Sequence, residues 1–239
     1  MSKPDKITPE SAVPLFPALG TPESFVFIFA VGFAGDLFVQ RLLNAQPGVC
    51  IRGENGDVLG KIMQAWLDAE ARAHQQMHVS GADVAELLRG LDVFGRQLAA
   101  AFAEAVLAPP AGVRFSGFRE VRYVLPEVPI ADQLRFLYAF FPGARFVFCL
   151  RDASAIAQTG WWRDRPDDDL VERLAEAQAA LRNGATEWPS RSCVVQLEEV
   201  VRAPESLESL FRLLDLPFDR ECVEALVNQI DLDNPEEQW

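Results

Sequence analysis

Lysine is nearly absent from this chain. Of its 22 basic residues only Lys3, Lys6 and Lys61 are lysines, and the rest are arginines. Positive charge is short altogether: against 35 acidic residues the net charge is −13, with an isoelectric point near 4.6. An acidic surface repels polyanions, so nucleic acid and anionic membranes are not expected as partners. Long apolar runs are missing too, since Phe25 to Ala34 falls well short of the roughly 20 residues that span a bilayer. Met1 to Gly20 is Pro-rich and lacks a long apolar stretch, so no signal peptide is expected. Cys50, Cys149, Cys193 and Cys222 are too widely spaced for a disulfide framework and read as reduced core residues. The expectation is a soluble, cytoplasmic protein.

What the chain does have is apolar content, 49% over 239 residues, enough for one domain with a substantial core. Residues 1–22 read as a flexible, Pro-rich lead-in, and 23–239 as a single domain. Apolar runs at Phe25–Val31, Val49–Arg52, Val113–Phe118, Arg145–Leu150 and Cys193–Leu197 read as strands. Between and after them, helical spacing marks 56–78, 84–107, 132–141, 152–162, 167–187, 204–214 and 220–229, with Ala-Pro-Pro-Ala-Gly (108–112) as a break. Strands alternating with helices predict a central parallel sheet covered on both faces.

The densest information lies in Phe25–Asn55. A buried strand leads into a turn bracketed by Gly32 and Gly35, then a Leu-rich helix. Such a helix start presents backbone N–H groups and a positive dipole end to an anion. The segment resembles the first motif of the sulfotransferase family, whose donor is 3′-phosphoadenosine 5′-phosphosulfate (PAPS) and whose turn typically reads Arg/Lys-Ser-Gly-Thr-Thr. The tail Gln40-Arg41-Leu42-Leu43-Asn44 matches, but the turn here reads Phe33-Ala34-Gly35-Asp36-Leu37. The family's cation and hydroxyls hold the phosphosulfate; Phe33, Ala34 and Leu37 supply neither. Asp36 sets a carboxylate where a dianion would lie, or serves as the helix N-cap.

A second match follows β-strand Arg145–Leu150. Arg151 stands at its carboxyl edge, and Thr159, eight residues on, is placed two turns into the next helix, facing the same point. Guanidinium and hydroxyl together suit a phosphate monoester. The pattern resembles the family's 3′-phosphate motif, an arginine with a serine eight residues later. A salt bridge for Arg151 and a back-bonded hydroxyl for Thr159 are the structural alternatives. Trp161-Trp162 beyond them suit stacking on a ring or a place in the core. Gly117-Phe118-Arg119-Glu120-Val121-Arg122 is similar to the bacterial Gly-Phe-Lys-Glu-Ile-Arg pattern, with Arg119 in the place of the lysine that holds the sulfuryl group. An exposed strand-end cation is the other reading. Glu54, in Arg52-Gly53-Glu54-Asn55, is the candidate base by the same resemblance, against a solvated loop glutamate.

His74, His78 and Glu70 share a helix face without further metal signature, so no metal is expected. The likeness runs from Phe25 to about Leu216, ending in Leu213-Leu214-Asp215-Leu216-Pro217-Phe218, with Asp215 where the family has glycine. It implies a single α/β domain of P-loop-like sulfotransferase fold and a ligand such as PAPS or adenosine 3′,5′-bisphosphate. Cofactor-binding residues would be Gly32, Phe33, Gly35, Asp36, Arg151 and Thr159, with Glu54 and Arg119 catalytic. Three functions stay open: a protein with a small-molecule substrate that has been repurposed away from PAPS chemistry, an active PAPS-dependent sulfotransferase acting on a small-molecule hydroxyl or amine, and a non-catalytic nucleotide- or partner-binding protein. The Arg-rich, Lys-poor, Ala-rich composition hints at bacterial specialised metabolism.

Overall fold

The computed structural model describes residues 22–230 except 80, 82, 125, 127, 166 and 167; the lead-in expected over 1–22 lies almost wholly outside the described residues. Five strands form one all-parallel sheet: β1 (Ser24–Phe29), β2 (Val49–Arg52), β3 (Phe115–Glu120), β4 (Arg145–Leu150) and β5 (Ser192–Gln196). Their order is β2-β3-β1-β4-β5, so β1 is central, paired with β3 on one side and β4 on the other. Every residue of β1 is buried. Parallel sheets are covered on both faces, which is why this strand is apolar without alternation.

Helices supply the cover: α1 (Asp36–Asn44), α2 (Val58–Met77), α3 (Val84–Phe102), α4 (Ile130–Phe140), α5 (Ala153–Ala157), α6 (Gly160–Arg163), α7 (Leu170–Glu187), α8 (Leu197–Arg202), α9 (Glu208–Leu213) and α10 (Arg220–Val227). The expected helix over 84–107 ends earlier, with a π-helical turn over Ala103–Leu107 before the two prolines. Arg52 of β2 donates to Leu107 O and Ala108 O at 2.9 Å, satisfying carbonyls at that helix end.

Phenylalanine builds the core. Phe27 meets the rings of Phe118, Phe141 and Phe146 with centroids 5.0, 5.2 and 6.2 Å away, so β1, β3, β4 and the end of α4 share one aromatic layer. Gly117 lets β3 lie against β1, because a Cβ there would overlap the carbonyl of Val26. Two polar side chains of α1 fix the sheet edge: Asn44 accepts from Ile51 N at 2.7 Å and donates to Ile51 O at 2.9 Å, and Gln40 also donates to that oxygen. The polar ends of the Gln-Arg-Leu-Leu-Asn tail therefore anchor β2.

Candidate functional site

The carboxyl ends of β1, β2, β3 and β4 meet at the turn 30–36, where strand order reverses and ligands of open α/β sheets bind. Gly32 (φ 82°) and Gly35 (φ 80°) make the turn in left-handed conformations. Phe33 is left-handed as well (φ 56°), an uncommon state for a bulky residue. Its ring is buried against Trp161, centroids 4.3 Å apart, and lies over Gly160, where a Cβ would collide with it. Trp161 in turn covers Gly32, and a Cβ at Gly32 would sit 2.7 Å from its ring. Trp162 is a core residue, donating its ring N–H to Val31 O at 3.1 Å. Aromatic rings thus fill the space above the turn.

Asp36 is not the helix N-cap. Gly35 holds that place without a side-chain bond, and Asp36 is the first helical residue, fully buried. Its carboxylate is turned inward, accepting from Ala34 N at 3.4 Å and pairing directly with Arg119 from the end of β3. Burial explains the outcome, since a carboxylate cut off from water needs a cation and donors more than helix N–H groups. Arg119 is also buried rather than an exposed strand-end cation. Its guanidinium further donates to Gln40 Oε1 at 3.0 Å and Glu54 Oε1 at 3.2 Å. Glu54 is no free loop residue, being 30% exposed and bridged to Arg122 at 3.2 Å as well.

Arg151 and Thr159 do come together, Nη1 to Oγ1 at 3.4 Å, but by another route. The helix expected over 152–162 breaks after Ala157, and Thr159 is the extended N-cap residue of α6. The break leaves Thr159 close enough to back-bond to Ala155 O at 2.7 Å, while Arg151 donates to Phe33 O at 3.1 Å. Only 6% and 3% exposed, Arg151 serves the backbone of the turn and Thr159 that of α5. Asp152 caps α5 as expected, accepting from Ala155 N.

Residues 26–220 match the model of the sulfotransferase family. The chain belongs to the sulfotransferase family. No individual curated protein matches it. Tested against the family's donor, the residues at this sulfotransferase turn do not fit a 5′-phosphosulfate. A buried carboxylate holds Arg119, the Phe33 and Trp161 rings lie over the turn, and Arg151 donates to the turn's own carbonyl at Phe33. For the 3′-phosphate the right two groups are adjacent, yet turned to protein acceptors.

Gln40, Glu120, Arg122 and Tyr123 complete this edge and were not candidates from sequence. Gln40 and Arg122 stood inside the matching motifs, so their polarity next to strand ends was the available signal. Two buried groups respond to the acids. Burial, then the Asp36 charge, pushes the Cys149 thiol well up. Burial, then Glu120 and Asp57, pushes up the Tyr123 phenol. Glu70 of the His74/His78 face pairs with Arg135, and no three metal-ligating side chains cluster among the described residues. No described helix is long and apolar enough to cross a membrane.

Proposed function

We propose that this sulfotransferase-family protein works on a small molecule in bacterial specialised metabolism without standard PAPS-dependent sulfuryl transfer, its phosphosulfate loop having been given over to packing. The observation that carries the reading is the buried Asp36–Arg119 pair. It sets a negative group at the first turn of α1, where the donor's anion would sit, and engages the cation that takes the family lysine's place. Like unit charges about 4 Å apart in a partly screened site repel by about 4 kcal/mol, a cost a dianion would meet more than once. The Phe33–Trp161 contact supports the same reading, because the ring occupies space a ligand would need.

The adjacency of Arg151 and Thr159 favours a second reading, in which an adenosine 3′,5′-bisphosphate is bound without transfer. Calorimetric titration of the purified protein with PAPS and, separately, with adenosine 3′,5′-bisphosphate decides among them. The proposal expects no PAPS binding in the wild type and a gain in the Phe33→Arg, Asp36→Thr double variant. Tight PAPS binding by the wild type, with no gain in the variant, would return the protein to active sulfuryl transfer. Bisphosphate binding alone, abolished by Arg151→Ala, would establish the second reading.

A further inference from the structure

A second concave site lies on the face of the sheet away from the Asp36–Arg119 pair. Side chains alternate along a strand, so Phe148 and Arg119, whose neighbours on β1 are Phe29 and Ile28, stand on opposite faces. Gly184 of α7 lies against the Phe148 ring, and Gln196, in register with Leu150, is on that same face. Between α7 and the carboxyl ends of β4 and β5 opens a cleft of about 460 Å³, the size of a small-molecule site.

Its walls divide by chemistry. Ala175 and Ala179 of α7, with Ala153 of α5, make an apolar wall. Gln178 and Arg182, one turn apart on α7, make a polar one. Gln178 is 9% exposed, and its Oε1 accepts from Arg151 N at 2.8 Å, which fixes the amide and leaves its NH2 group for the cleft it lines. Arg182 donates through Nη2 to Gln196 Oε1 at 3.1 Å and has no carboxylate partner among the described residues. Gln196 in turn donates to Glu198 Oε2 at 2.7 Å, and Glu198 accepts from Asp152 N at 2.8 Å. One edge of the guanidinium is thereby tethered to the sheet, while a fork of five donors has more to offer. Arg151 also borders the cleft, but its guanidinium donates to Phe33 O and lies beside Thr159 Oγ1.

We infer that this cleft binds a small organic carboxylate with an apolar body, its oxygens accepting from Arg182 and Gln178 and its body lying along Ala153, Ala175 and Ala179. A planar carboxylate matches the guanidinium fork, and its two oxygens suit two donors placed one helical turn apart. A phosphate dianion fits less well, because its second charge would meet Asp152 at the rim and Glu198 behind it with only one cation turned to the cleft. A neutral ligand would leave Arg182 without a counter-ion. The site goes beyond the reading of the turn, since it lies across the sheet and no nucleotide takes part.

The test is a titration of the isotope-labelled full chain, without nucleotide and at fixed ionic strength, followed by NMR and using sodium benzoate, benzamide and sodium phosphate. Benzoate is expected to shift the amide signals of residues 151–153 and 175–183 saturably, with a dissociation constant on the order of 1 mM, the range open to so small a ligand. Benzamide has the same shape without the charge, and phosphate has the charge without the body; each should bind at least about tenfold more weakly. Arg182→Gln should weaken benzoate about tenfold, the loss that goes with one charged contact. Ala179→Leu, which fills the apolar wall and leaves every polar group in place, should weaken it several-fold. Both positions are exposed on α7, so neither change removes core packing. No saturable benzoate shift, shifts confined to other residues, benzamide or phosphate binding as tight, or affinity unchanged in either variant would overturn the assignment. Since PAPS is absent throughout, this failure is separate from failure of the donor reading.

Discussion

Asp36 and Arg119 stand 83 residues apart and end up in one ion pair with almost no solvent contact. A buried pair is held by mutual need: each charge has lost its water, and removing one strands the other. Asp36→Ala is therefore expected to lower unfolding stability by about 3–5 kcal/mol, whereas an apolar Asp36→Leu, Arg119→Met double variant should recover most of that. Urea denaturation of the two proteins measures it. A loss of less than about 1 kcal/mol, the range of an exposed pair, would mean that water reaches the site. Similar reasoning applies to Asp215, whose backbone is left-handed (φ 51°) at the place where the family has glycine. Aspartate tolerates that conformation better than most residues, so the turn survives the exchange.

Among the elements, β3 controls the site because it pairs with both β1 and β2 and delivers Arg119 and Glu120 at its end. Its approach to β1 depends on Gly117, which faces the Val26 backbone. A backbone carbonyl has no rotamer with which to yield, so Gly117→Ala is expected to abolish the folded protein, read as loss of soluble expression or of the cooperative thermal transition. The helices show a different dependence. Helical spacing located α2, α3 and α7 closely, because their buried faces repeat at helical period. The break between α5 and α6 escaped that signal. Gly160 has φ 50° and makes way for Phe33, a tertiary contact that overrides a continuous helix.

For the whole molecule, two deeply buried neutral groups couple stability to pH. The Cys149 thiol and the Tyr123 phenol lie well above their ordinary values of 9.0 and 10.0. Their folded forms hold protons that the unfolded chain releases, so the contribution is complete below about pH 9 and declines as pH rises further. Each group sets a limiting slope of about 1.4 kcal/mol per pH unit once its unfolded form has ionised. Melting temperature should fall above about pH 9, and Tyr123→Phe should flatten the part of the fall that begins near pH 10. An unchanged profile in that variant would place the phenol in contact with solvent.

The sequence by itself determined the five strands, their alternation with helices and the tight turn bracketed by Gly32 and Gly35. These follow from local properties: apolar runs, period and the φ freedom of glycine. It also marked Arg119, Arg151, Glu54 and Asp36 as residues of one edge, through the motifs around them. Only the tertiary structure decided what those residues do to one another. Ion pairing across the edge depends on the order β2-β3-β1-β4-β5, which brings the end of β3 beside the turn after β1. Burial then makes the carboxylate and guanidinium partners instead of a helix cap and an exposed cation, and no local pattern carries the degree of burial.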